Sequence, residues 1–284
     1  MKAASFEYTR APDLDGALEA IAQADGACKP IGGSQSLGPM LNLRLARPRR
    51  VVDISSLPGL REVTSRPGAV VIGAAVTHAE IEDGVHAPLA DHPMRSVAGG
   101  IAYRAIRTRG TVGGSLAHAD PAADWVLAFA ALGARIQVRS ARASRVVEAD
   151  AFMLGAYTTV LHADELIVAI EVPAMTPTTR WGYHKLCRKP GEFAEASAAV
   201  YFEAGRKQAR IALGAVDGRP ILLDRLAAEI AATGAGAASR SQIRLAVASA
   251  LPERDSIDVN LFAVCVERAL AQAGVLHPQP HPAE

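Results

Sequence analysis

Two glycine-rich stretches decide how this chain reads: Pro30-Ile31-Gly32-Gly33-Ser34-Gln35-Ser36-Leu37-Gly38-Pro39, and Arg109-Gly110-Thr111-Val112-Gly113-Gly114-Ser115-Leu116-Ala117-His118-Ala119-Asp120-Pro121-Ala122-Ala123-Asp124. Glycine lets backbone N–H groups point at an anion with no Cβ in the way, and neighbouring Ser or Thr hydroxyls add donors. Either Gly-Gly pair alone reads as an ordinary turn. Two such loops, each hydroxyl-rich and each entered from a strand-like run, point to a shared cradle for a pyrophosphate. Neither stretch carries the G-x-x-x-x-G-K-[ST] of phosphate-binding loops, and no G-x-G-x-x-G follows a strand. Gly234-Ala235-Gly236 lies between two helical patterns and reads as a connection. Gly32-x-Ser34-x-Ser36 stops one glycine short of the hydrolase elbow G-x-S-x-G. A serine hydrolase using Ser34 or Ser36 therefore stands as an alternative, as does a non-catalytic nucleotide-binding regulatory module.

Working outward, the first stretch sits inside a β-α-β pattern. Phe6–Thr9 alternates like a strand, Asp13 is placed to cap a helix carrying Leu14, Ala17, Leu18 and Ile21, and Val51–Ile54 reads as a buried strand before Pro58-Gly59. Further on, Ala69–Ile72 reads as a strand and Thr77-His78-Ala79-Glu80 has capping-box spacing. Asp120-Pro121 predicts a helix with Pro at its first position, running through Trp125 and Phe129 to a stop at Gly133. Strands are expected over residues 135–139 and 165–172, and Pro173–Thr179 reads as a linker. Beyond it come strands at Trp181–Lys185, Ser197–Glu203 and Ala209–Ala215, then helices near Leu222–Ala232, Gln242–Ala250 and Val259–Ala273. Strands followed by helices suggest a separate α+β unit. Residues 277–284 read as a frayed end, and no internal repeat is visible.

The composition excludes several classes. Thirty Lys+Arg against 29 Asp+Glu leave a net charge of +1, and aromatic residues make up 5%, which argues against bulk attraction to nucleic acid or anionic membrane. The 284 residues favour two domains, and 50% hydrophobic content supplies a sizeable core. The three cysteines Cys28, Cys187 and Cys265 are odd in number and scattered, so they form neither a disulfide framework nor an iron–sulfur or zinc site within the chain. The N-terminal residues lack the apolar core of a signal peptide, and no 18-residue uncharged apolar run follows, so a soluble protein of a reducing compartment is expected. Of the histidines, His78 with Glu80 and His118 with Asp120 lack metal-ligand spacing and read as capping or surface groups, and His277 and His281 lie in the tail. No metal is assigned. Asp124, in the first turn of its helix, either complements the dipole or accepts a hydrogen bond from a cofactor's ribose or ring. Lys185 and Arg188 are either solvated charge or neighbours of a phosphate or electron-rich ring.

Taken together, these segments resemble a known family. The first stretch, continuing to Leu43-Arg44-Leu45-Ala46-Arg47-Pro48, resembles the signature A-G-G-[HQ]-S-L-x-P…R-L-A-x-P, and Ile106–Asp124 resembles its second signature. Both signatures belong to the FAD-binding medium subunit of molybdenum hydroxylases, the relatives of carbon monoxide dehydrogenase and xanthine dehydrogenase. Glu165–Pro173 and Tyr183–Ala194 fit later landmarks, so the resemblance covers essentially the whole chain. It implies an α+β fold: a two-lobed FAD-binding PCMH-type, vanillyl-alcohol-oxidase-like domain over 1–176 (lobes about 1–57 and 58–176), then a smaller domain of antiparallel strands and helices over 177–284. By motif matching, FAD would contact Pro30, Ile31, Gly32, Gly33, Ser34, Gln35, Ser36, Leu37, Thr111, Val112, Gly113, Gly114, Ser115, Asp124, Ile167 and Lys185. The redox chemistry would belong to FAD, with no catalytic side chain of the chain's own. The molybdenum cofactor would sit on a large partner subunit and [2Fe-2S] clusters on a small one, in a cytoplasmic dimer of heterotrimers passing electrons to an external acceptor. Gly33→Val or Gly114→Val is expected to abolish FAD retention by blocking the backbone's approach to the cofactor. The chain departs from the pattern at Ser34, in place of a glycine, where a positive φ would be strained. It departs again at Gly38, in place of an apolar residue, and at Tyr103-Arg104-Ala105, in place of His-Pro-Gln.

Overall fold

Three short strands, β1 (Glu7–Arg10), β2 (Cys28–Ile31) and β3 (Arg50–Asp53), pair in parallel in the order β1-β3-β2. Helix α1 (Leu14–Ala22) starts at Asp13, whose carboxylate accepts from the Gly16 amide at 2.7 Å, and it buries Ala17, Leu18 and Ile21. Pro30, which has no N–H to give a ladder, falls on the edge strand β2. After β2 the chain turns through Gly32–Ser36 into the short helix α2 (Leu37–Asn42). The computed structural model describes residues 2–233 and 238–276, so the Gly234–Gly236 connection and His277 and His281 lie outside the described residues.

A second sheet is antiparallel throughout. Its strands β4 (Val63–Arg66), β5 (Ala69–Gly73), β6 (Arg135–Arg139), β7 (Ser144–Glu148) and β10 (Leu166–Pro173) run in the order β4-β5-β10-β6-β7, with β8 (Met153–Gly155) and β9 (Thr158–Thr159) forming a separate small pair. The central strand β10 divides its side chains between two cores: Leu166 and Val168 join the cluster around α1, while Ile167, Ile170 and Val172 join the cluster beneath the second sheet. Helices α3 (His78–Glu82), α4 (Met94–Gly99), α5 (Arg104–Arg107), α6 (Val112–His118), α7 (Asp124–Leu132) and α8 (Ala149–Phe152) accompany this sheet. All nine residues of α7 are buried, Asp124 included, as expected of a helix that is apolar all round and enclosed on every side.

The third sheet, β11 (Thr179–Leu186), β12 (Ala196–Glu203), β13 (Gln208–Gly214) and β14 (Ile221–Leu222), is antiparallel in that order and carries α9 (Asp224–Thr233), α10 (Arg240–Ala250) and α11 (Ser256–Gln272). Every residue of β12 is buried. Its alternating side chains explain this: Ala199 packs on Leu127 and Ala131 of α7, whereas Ala198 and Val200 pack with Phe262 and Val266 of α11. Where α11 crosses β11, a Cβ on Gly182 would stand 1.8 Å from the Ala269 carbonyl oxygen, so only glycine permits the crossing. Residues 174–178 join β10 to β11. The linker expected over Pro173–Thr179 is shorter, because Pro173 closes β10 and Thr179 opens β11. The buried Glu203 carboxylate holds this connection by accepting from the hydroxyls of Thr176, Thr178 and Thr179.

Three local expectations are corrected. The helix expected from Pro121 begins at Asp124, because the Asp120 side chain accepts from the Ala122 amide at 2.9 Å and closes a turn of its own. The helix expected from Leu222 begins at Asp224, since Ile221–Leu222 pairs with β13. The second glycine stretch is not a loop: Thr111 caps α6, and Val112–His118 is helical. Among the described residues, no helix is long and apolar enough to cross a membrane.

Candidate functional site

A cleft of about 760 Å³ is walled by β2 and the turn after it, the stretch from Ile101 to Asp124, the segment 157–165 and the β11–β12 connection at Gly191–Phe193. The volume falls within the range of small-molecule and cofactor sites. Pro30, Ile31, Gly32, Gly33, Ser34, Gln35, Ser36 and Leu37 all line it, together with Thr111, Gly114, Ser115 and Asp124. Val112 and Gly113 do not. Val112 is fully buried in the core, and a Cβ on Gly113 would stand 2.6 Å from that of Ala74. Ile167 lies in the core of β10, and Lys185 reaches the site from behind, through Asp124.

The two glycine stretches turn out to do different work. None of the amide N–H groups of residues 32–36 donates to a protein acceptor among the described residues, which leaves a row of free donors on the cleft wall, suited to an anion. In the second stretch the amides are already committed: Val112 to the Val76 carbonyl, Gly113 to Ala74, Gly114 to the Thr111 hydroxyl and Ser115 to the Thr111 carbonyl. It offers the cleft hydroxyls and a rigid backing rather than amides. The glycines also serve a purpose other than the one expected of them. A Cβ on Gly33 would stand 1.8 Å from the Arg109 carbonyl oxygen, and one on Gly32 would stand 3.0 Å from the Thr111 hydroxyl. They let the two stretches lean on each other. Ser34 holds a φ of +64°, the strained conformation its place in the motif implied.

Asp124 also lines the cleft, 6% exposed. Its Oδ1 accepts from the Tyr183 hydroxyl at 2.7 Å and from the Lys185 ammonium at 2.9 Å, and the same ammonium donates to the Gly100 carbonyl at 2.7 Å. Both bonds end on Oδ1, and among the described residues Oδ2 has no protein donor. Burial first, and the facing Asp124 carboxylate second, push the Tyr183 hydroxyl well above the usual tyrosine range, so it stays a donor. Arg188 pairs instead with Glu195 on the exposed β11–β12 connection. Near the departure at Tyr103-Arg104-Ala105, Arg104 bonds Glu82 and Asp83, and Arg107 bonds Glu82 and the carbonyls of Ile101 and Ala102. This net fixes the turn that places Ile101, Ala102 and Ile106 on the cleft wall.

Several lining residues were not expected as cofactor contacts, His118 among them, which reads in the sequence as a capping or surface group. Met40, Ala46, His118, Tyr157 and Phe193 reach the cleft only because distant segments converge there. His78 is the largest correction. Read in the sequence as a capping or surface group, it is 5% exposed and forms part of the cleft wall, while its neighbour Glu80 turns back to cap Thr77. Among the described residues no histidine nitrogen lies within hydrogen-bond distance of the Ser34 or Ser36 hydroxyl, so neither serine has the base a hydrolase needs. Nor, among the described residues, do three or more His, Cys, Asp or Glu side chains form a group that could hold a metal ion.

Residues 4–175 match the family described as the FAD binding domain in molybdopterin dehydrogenase. The chain belongs to that family. It is 37% identical over 225 residues to the nicotine 6-hydroxylase medium subunit of Paenarthrobacter nicotinovorans, covering 77% of each chain. To the carbon monoxide dehydrogenase medium chain of Hydrogenophaga pseudoflava it is 33% identical, covering 78% of this chain and 77% of that one. Among solved structures it superposes on quinoline 2-oxidoreductase from Pseudomonas putida 86 with a TM-score of 0.84 and 31% identity, covering 96% of this chain and 98% of the other. On the carbon monoxide dehydrogenase of Oligotropha carboxidovorans the TM-score is 0.88 at 28% identity, over 96% and 99% of the two chains. The expected two-lobed PCMH-type fold is thus borne out, and the chain is an FAD-binding oxidoreductase component of this family. Neither the hydrolase nor the regulatory-module reading has a counterpart among these relatives.

Proposed function

We propose that this chain is the flavin-carrying medium subunit of a molybdenum hydroxylase complex, holding FAD in the cleft with its diphosphate on residues 32–36. The observation that carries this reading is the run of amides at Gly32–Ser36, none of which donates to a protein acceptor among the described residues, on a cleft that Asp124 also lines. When bound, FAD supplies the ability to accept electrons as a pair and release them singly or together. The chain's own residues do the rest. The amides and the Ser34, Ser36, Thr111 and Ser115 hydroxyls orient the diphosphate. Asp124 offers Oδ2 as an acceptor, while Tyr183 and Lys185 hold that carboxylate in place and balance its charge. Ile167 stiffens the floor from within β10.

The domain limits proposed are 1–176, in two lobes meeting near residue 57, and 177–284; the five-residue connection 174–178 between separate sheets supports them. The electron route runs from [2Fe-2S] clusters on a small partner subunit to this FAD and on to an external acceptor. The molybdenum cofactor sits on a large subunit, in a cytoplasmic dimer of heterotrimers. The scattered cysteines, which place no cluster in this chain, and the medium-subunit names of its relatives support that arrangement. Titrating flavin-stripped protein with FAD tests the reading: quenching of flavin fluorescence to about one equivalent per chain is expected, and absence of saturable binding by folded protein would overturn it.

A further inference from the structure

His78 is the buried polar side chain of the cleft that this reading leaves without a task. It opens α3, and its ring lies between the core and the second glycine stretch. The Trp125 indole N–H donates to His78 Nδ1 at 2.9 Å. An imidazole that accepts at Nδ1 while neutral must carry its proton on Nε2. Burial first, and the Arg107 charge second, lower the His78 pKa to about 4, so the ring is neutral near pH 7 and Nε2–H is its one donor. Among the described residues that donor has no protein acceptor, and although His78 is only 5% exposed, Nε2 is not sealed in the core but opens to the cleft that the residue lines. A ligand acceptor in the cleft is thus within reach of this donor, with no protein group competing for it.

The position of the ring says which part of a ligand it meets. The His78 amide donates to the Gly110 carbonyl at 3.0 Å, and a Cβ on Gly110 would stand 2.8 Å from Nε2, so the Nε2 edge of the ring lies flat against Gly110. Gly33 abuts Arg109 and Gly110 from the other side. His78 therefore reaches the cleft where the stretch with free amides meets the stretch with free hydroxyls. We propose that His78 is a further cofactor-binding residue, donating a hydrogen bond from Nε2–H to a diphosphate oxygen of FAD. This rests on FAD occupying the cleft as proposed above.

The test compares wild-type, His78→Leu and His78→Gln chains stripped of flavin, titrated separately with FAD and with ADP, which carries the diphosphate without the flavin. Failure of the wild-type chain to bind FAD would count against the cleft assignment itself. Given wild-type binding, His78→Leu should weaken both FAD and ADP by about tenfold, the scale of one hydrogen bond, and His78→Gln, which keeps an amide donor, should recover most of that loss. Unchanged FAD affinity in His78→Leu would overturn the proposal, as would a loss confined to FAD with ADP binding unaltered. Because His78→Leu also removes the partner of Trp125, its thermal stability must be read beside its affinity. Nitrogen-15 spectra of histidine-labelled wild-type protein supply a measurement without substitution at the site. The His78 Nε2 signal, identified by its loss in His78→Gln, should move on addition of ADP, and an unmoved signal at saturation would sink the assignment.

Discussion

Ser34 departs from the glycine its motif implies, and the structure shows what makes that tolerable. With φ at +64° a side chain costs roughly 1–2 kcal/mol relative to glycine. Its hydroxyl lies 2.6 Å from the point where a Cβ on Gly38 would stand. The two departures noted in the sequence, Ser34 for glycine and Gly38 for an apolar residue, are therefore one exchange: the side chain lost at 38 makes room for the one gained at 34. Gly38→Leu alone should crowd Ser34 and reduce FAD retention severalfold, and Ser34→Gly in the same chain should restore it. Equal flavin content in the single and double variants would show that the positions are independent. The coupling was not legible in the sequence, where residues four apart carry no sign of which one yields.

At the scale of elements, the glycine stretches were legible as a pair, and their division of labour was not. Nothing in Thr111–Ser115 distinguishes a loop that donates its amides from a helix that has already used them. The difference arises because Val76 and Ala74, in the turn after β5, capture the Val112 and Gly113 amides. Gly33→Val should thus release FAD by pushing the two stretches apart, its Cβ falling 1.8 Å from the Arg109 carbonyl. The misfit should cost the flavin-free protein about 1–3 kcal/mol as well. Differential scanning calorimetry of stripped protein checks this: an unchanged melting temperature would mean that the glycine serves only the cofactor. The strands missed in the sequence have an equally local cause. Of the four residues of β4, Thr64, Ser65 and Arg66 are exposed, so the strand exists through its ladder with β5 and not through apolar alternation.

Across the whole molecule, buried titratable groups should set its acid sensitivity. His78 and His92 are both lowered from 6.5 to about 4, burial being the leading cause for each. Their folded values lie below the unfolded one, so between pH 6.5 and about 4 the unfolded chain takes up protons that the native chain refuses. Stability is fully present above pH 6.5 and is lost as pH falls, by about 3 kcal/mol for each group. Glu203 extends the trend to lower pH. Burial alone would raise its pKa, but the bonds from Thr176, Thr178, Thr179 and the Gly205 amide outweigh it and hold the carboxyl at about 2. As pH falls below 4.5, the unfolded carboxylate protonates first. Melting temperature measured from pH 7.5 to 4 should drop continuously below 6.5, and a flat profile across that range would contradict the burial of both histidines.

The sequence by itself determined the family-level fold, the cofactor and most of the cleft's first wall, because these depend on contiguous residues: a capped helix, a run of glycines and hydroxyls, a buried strand. Asp124 and Lys185 were legible as charged residues near landmarks, with their purpose open. The tertiary structure alone decided that both end on one oxygen network with Tyr183 and Gly100, that Val112 and Gly113 face the core, and that His78 is a wall of the site. The physical reason is common to all three. Local pattern specifies which backbone conformation a segment adopts and which of its faces is apolar. Whether a given donor is spent on a neighbour or left for a ligand depends on segments that arrive from thirty to a hundred or more positions away, and no window of the chain contains them.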